Sequence, residues 1–391
     1  MIGLRLREAL AAATVALCAL ACGAQVRHAD FGHVDGTNPR SAGRAVSVGW
    51  ALNLAAPMSG PYVPVEQASP AVDAISARIY AGSTRGMLWA LDTSGRKIYG
   101  YDAKAAIEAQ PTIDPDRGEL FVATIRGTVL ALRGEDGTLR WKVEAGASIS
   151  QPGMLSRDAL YVVTDEDSVL ALSRTDGSTL WRYKREPHEG FAIAGHAGLT
   201  VVSNKILTGF GDGVIVALDA SDGRVVWESD TSVDLEELDA TRRFTDVDTT
   251  PAVVNDTVYV ASFSGGLYAL DLATGSLRSH EAQLRGVTSI TGTPDALIVS
   301  SSEAGVLCLD LPGLTLRWRH HVERGAAGRA ELRGSTVYFA ESLGALVALQ
   351  VADGREIGRL ETSQGITAPA TMDGRRGFVL SNAGTLYAFT Y

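Results

Sequence analysis

One four-residue element, repeated eight times, constrains what this chain of 391 residues can fold into more than any other feature. The copies are WALD at Trp89, LALR at Leu130, LALS at Leu170, VALD at Val216, YALD at Tyr268, LCLD at Leu307, VALQ at Val347 and YAFT at Tyr387. Counted from the second residue of each copy, successive spacings are 41, 40, 46, 52, 39, 40 and 40 residues. Self-similarity at a period of that size is the mark of an array of identical supersecondary units.

Each copy sits in the same local grammar. An alternating apolar run precedes it, as in ELFVAT (Glu119 to Thr124) and TVYVAS (Thr257 to Ser262). A turn glycine follows in seven copies, at Gly95, Gly137, Gly177, Gly223, Gly275, Gly313 and Gly354. Ten residues after the second position stands Trp141, Trp181, Trp227 or Trp318, and a proline often opens the next unit, as at Pro111, Pro152, Pro251 and Pro369. Period-2 patterning with frequent turn signals predicts short strands and no helix. Four strands in about 40 residues, repeated, predict an all-β fold: an eight-bladed β-propeller of four-stranded antiparallel blades. The eighth copy reaches Tyr391 after only three strands, and RAVSVGWALNL (Arg44 to Leu54) has the pattern of the missing one, with Trp50 in the tryptophan position. The ring is therefore expected to close by pairing this N-terminal strand with the last blade. A membrane β-barrel would need lipid-facing apolar bands and alternating turn and loop lengths, which the repeat does not have.

The first 21 residues read as a signal peptide. Arg5 and Arg7 precede the apolar run ALAAATVALCALA (Ala9 to Ala21), which is too short for a comfortable membrane span. Cys22 follows, in a setting that resembles the lipoprotein box, so Cys22 is the expected acylation site, the alternative being an ordinary cleaved signal with an incidental cysteine. Gly23 rather than aspartate comes next, which by the usual sorting rule favours the outer membrane. Residues 22–43 are polar and turn-rich and read as a flexible tether, leaving 44–391 for the propeller. Beyond the leader and the acylation candidate Cys22, Cys308 is the only cysteine, so no internal disulfide is expected in an oxidising compartment. A net charge of −10 with no basic stripe argues against nucleic acid as a partner.

The unit YALDLATG followed by tryptophan resembles the PQQ-like propeller repeat of quinone-dependent dehydrogenases and their non-enzymatic relatives. The stretch RFTDVDTTP (Arg243 to Pro251) and its continuation AVVNDTVYVASFSGGLYALDLATG resemble the BamB family more narrowly. Its members are propeller lipoproteins of the outer-membrane β-barrel assembly machinery. That resemblance implies a non-catalytic scaffold with no cofactor or metal. Its implied partners are the periplasmic domains of a BamA-type barrel subunit and, at a further remove, unfolded outer-membrane precursors.

Asp246 and Asp248 stand two apart in an extended segment, so their carboxylates are expected to share a side. Paired carboxylates can receive an arginine fork, whereas calcium would need six to eight oxygens that no neighbouring cluster supplies. The alternative is a pair of solvated loop acids. The two long spacings place extra residues at 182–198 and 228–248, both inter-blade connections expected side by side on one face, where function concentrates. The resemblance implies an L-x-L-R docking element in the first. Here Phe191-Ala192-Ile193-Ala194 keeps the two apolar positions but has Ala194 for the arginine, leaving Arg242 or Arg243 as the compensating charge. Packing on the blade below is the plainer role for Phe191 and Ile193.

Enzymatic readings find little support. No adjacent cysteines, G-x-S-x-G or H-E-x-x-H occur. His320 and His321, as strand neighbours, point to opposite faces and read as a solvated strand end, and Cys308 reads as a buried apolar residue. The remaining alternatives are a propeller lipoprotein of another envelope complex and, more remotely, a quinone-dependent dehydrogenase.

Overall fold

The computed structural model describes residues 46–54, 65–186, 196–232, 246–362 and 364–391. These residues form eight four-stranded antiparallel sheets. Seven are built from consecutive strands: 71–102, 112–144, 154–184, 200–230, 252–281, 287–320 and 331–361. The eighth takes three strands from 371–390 and its outermost strand from Ser47–Asn53, which pairs antiparallel with Thr385–Thr390. The fold is thus the expected eight-bladed propeller, closed by the two ends of the chain.

The burial pattern explains why strict alternation fades in the middle of each unit. Both faces of a blade pack on neighbours, so the second and third strands are buried at almost every residue, as in Ala159–Thr164 and Ser168–Ser173. Outer strands keep the alternation, as in Thr179–Lys184. Each apolar cluster bridges two successive blades. One joins Phe121 and Trp141 to Leu160 and Leu170, and another joins Ile79 and Leu91 to Phe378 and Leu386 across the closure.

The repeat tryptophan is a clasp between blades. Its ring lies on the turn glycine of the next blade and its indole N–H donates to a carbonyl in that turn. Trp141 donates to Arg174 O at 2.9 Å, Trp181 to Ala220 O at 3.1 Å, Trp227 to Leu272 O at 3.1 Å and Trp318 to Val351 O at 2.7 Å. Trp50 does the same to Thr93 O at 3.0 Å, as its place in the repeat predicts. Gly177 shows why glycine is required: its φ is +76°, and a Cβ there would come within 2.6 Å of the Trp141 ring.

Tyr99 is a sixth clasp that the tryptophan pattern hides. Its hydroxyl donates to Gly134 O at 3.1 Å and its ring covers Gly137. Ser279 fills the position in the fifth blade, and there the next turn places Leu314 rather than glycine at positive φ. Gly358 fills it in the seventh, where the two ends of the chain replace the turn that a ring would cover.

Two buried ionic clusters reinforce the ring, one across a seam and one within the seventh blade. Arg174, between the second and third blades, donates to Asp114 and Glu119. Arg359 holds Glu341, whose side chain is fully buried, at 2.8 Å and Glu356 at 3.0 Å. Every outer strand carries a register shift beside the clasp position. Such bulges twist an exposed sheet edge away from pairing with another chain.

Trp141→Ala should cost about 3–5 kcal/mol, the range for removing a buried aromatic, and Leu180→Ala, 54 % exposed, about 0.5 kcal/mol or less. Chemical denaturation of the two variants beside the wild type measures the difference.

Candidate functional site

The segment from Asp246 to Pro251 leads into the innermost strand of the fifth blade, Ala252–Val254. Each residue has a distinct task. The Val247 N–H donates to Phe210 O at 3.1 Å, and its side chain packs over Gly209, where a Cβ would come within 2.3 Å. Ile107 and Gly82 make the same close pairing at the entry to the second blade. Thr249 Oγ1 accepts from the Ala261 N–H at 2.8 Å. Thr250 Oγ1 accepts from the Gly198 N–H at 3.1 Å, and Thr200 Oγ1 donates to Pro251 O at 2.6 Å. The threonines and proline are therefore architecture.

The Gly198–Thr250 bond also brings together the described ends of the two long connections. Around them, Arg185 pairs with Asp212, and Asp167 faces His196 at 3.6 Å.

The two aspartates part company in depth. Asp246 is buried, at 1 % exposure, which is incompatible with a freely solvated loop acid. Asp248 is half-buried and lines a cavity of about 470 Å³ to which all eight blades contribute. The two charges remain coupled. Burial, first, and the charge of Asp246, second, push the Asp248 carboxyl up to about 7. Glu108 lines the same cavity from the second blade. It stands three residues before Pro111 as Asp248 stands three before Pro251, and burial and the charge of Asp165 raise its carboxyl too. That shared offset from the proline was the available signal for Glu108, which sequence reasoning passed over. Asp165 accepts from the Ser148 and Ser150 hydroxyls at 2.7 and 2.9 Å, so its charge is fixed nearby.

Cys22, Phe191, Ile193, Ala194, Arg242 and Arg243 lie outside the described residues. The histidine pair needs a correction. His321 is exposed, but His320 is 1 % exposed and edge-on to Phe339, because its side of the strand faces the seventh blade. Burial lowers its pKa. Cys308 is fully buried in the repeat's alanine position, and burial pushes its thiol up to about 11. Among the described residues no group of three or more His, Cys, Asp or Glu is arranged to hold a metal.

The sign of the Asp248 shift sets a pH dependence. Its carboxyl is raised in the native state, so between the unfolded value near 4 and about 7 the folded protein holds a proton that the unfolded chain has released. That contribution to stability is complete at low pH and is lost as pH rises through the interval. Asp248→Asn should remove it, stabilising the protein relative to wild type at pH 8 and less so at pH 5. Denaturation midpoints at the two pH values read this out.

A family model described as outer membrane protein assembly factor BamB matches residues 84–313. The BamB proteins of Salmonella typhimurium and Escherichia coli (strain K12) are 30 % and 29 % identical over 328 residues, covering 80 % of this chain and 82 % of each relative. Among solved structures, BamB from Moraxella catarrhalis superposes with a TM-score of 0.75 at 24 % identity, covering 88 % of this chain and all of that one. The quinohemoprotein alcohol dehydrogenase of Comamonas testosteroni shares the fold, with a TM-score of 0.65 at 15 % identity over 90 % of this chain and 78 % of that one.

Proposed function

Because this chain belongs to the BamB family of outer membrane protein assembly factors, we propose that it is a non-catalytic scaffold that assists the insertion of outer-membrane β-barrels. It docks the periplasmic domains of a BamA-type subunit at the seam between the fourth and fifth blades. The observation that carries this reading is Asp248, a half-buried carboxylate at the meeting point of the two long connections. An arginine fork from a partner would give it the charge-assisted contact that a desolvated carboxylate lacks.

Asp246 acts from below. Being buried, it adds negative potential to the site without offering an open surface. Phe191 and Ile193 supply apolar contact from the first connection, and Arg243 the basic residue that Ala194 does not provide. Acylated Cys22 holds the protein on the periplasmic face of the outer membrane, and residues 22–43 give the propeller reach from that anchor.

Affinity purification from envelope extracts tests this. Wild-type protein should recover a BamA-type subunit, and Asp248→Arg should reduce recovery at least tenfold while retaining its propeller circular dichroism. A wild-type protein that recovers no such subunit would overturn the docking. Cys22→Ser should in turn move the protein from the membrane fraction to the soluble one.

A further inference from the structure

The cavity on the propeller axis has a composition that the docking reading does not use. We propose that it is a binding site for a guanidinium or primary ammonium group. It shares Asp248 with the docking reading and otherwise stands apart from it.

At about 470 Å³ the cavity falls in the range of small-molecule sites. Its wall carries acceptors that no described residue saturates. No described residue donates a hydrogen bond to the carboxylate of Asp248 or of Glu108. Gln110 also lines the cavity, and its amide N–H₂ is committed to Pro70 O at 2.9 Å and Thr371 Oγ1 at 3.0 Å. That fixes the amide so that its carbonyl oxygen is the end left over.

Ser289 borders the cavity from the sixth blade, beside the blade that carries Asp248, but its hydroxyl is turned out of solvent reach and takes no part in the site. Arg329, also on the wall, is half-exposed and ion-paired with Glu331 at 3.6 Å.

A guanidinium offers five N–H donors and an ammonium three, with no acceptor on either, which matches a wall of carboxylate and carbonyl oxygens. Burial raises both carboxyls, an unfavourable state that a bound cation reverses. The group can belong to a free amine or to a basic side chain of a docked partner.

Isothermal titration of the full-length protein with agmatine, which carries both groups, tests the site. Wild type should bind saturably at one site. Glu108→Gln and Asp248→Asn should each weaken binding at least tenfold, and Asp222→Asn, an exposed turn acid paired with Arg224, should not. Thermal melts of all four proteins establish that each is folded. Non-saturable heats, equal binding by wild type and both cavity variants, or equal loss in Asp222→Asn would overturn the site. Agmatine in excess during affinity purification then separates the sources: displacement of the BamA-type subunit assigns the site to a partner side chain, and undisturbed recovery to a free amine. If the wild type recovers no such subunit, the docking reading falls while the titration still decides the cavity.

Discussion

The indole or phenol ring lying on the next blade's turn glycine is the contact on which the ring depends. A single blade is a four-stranded sheet with two apolar faces, and it cannot bury both by itself. The clasp couples the outer strand of one blade to the hairpin turn of the next, so it fixes their relative angle as well as their contact. The left-handed glycine is what lets the ring approach, and the N–H to carbonyl bond gives the contact a direction. Six of the eight seams have this device, and one of the other two falls where the chain ends meet.

Once the blades are clasped, the innermost strands are forced together around an axis, and their leading residues must serve two ends. Some are keys: Val247 over Gly209, Ile107 over Gly82. Their sequence neighbours then point toward the axis because an extended chain alternates sides. Asp248 and Glu108 are such neighbours. The acidic character of the axial cavity is thus a product of the positions that blade packing leaves available.

The same geometry separates two aspartates that look equivalent in the sequence. Being two residues apart, Asp246 and Asp248 were expected to share a side, and the charge of Asp246 does raise the Asp248 carboxyl. Yet one is sealed and the other reaches the cavity. The difference arises from what lies over each residue, a tertiary matter that no local pattern encodes. His320 makes the point from the opposite direction. Its place at the end of a polar strand suggested solvent, but the seventh blade packs on that side.

Local chemistry repeated at a fixed period settled the architecture from the sequence alone. Turn glycines, alternating strands and a tryptophan at constant offset specify a blade, and eight copies with a split last blade specify the ring. Tyr99 escaped that pattern because the clasp selects for a flat ring with a donor, which tyrosine also offers. Only the tertiary structure decided which acids meet on the axis, which are buried, and which polar groups are left without partners. Burial depends on neighbours dozens to hundreds of residues away, and these are brought together only when the ring closes.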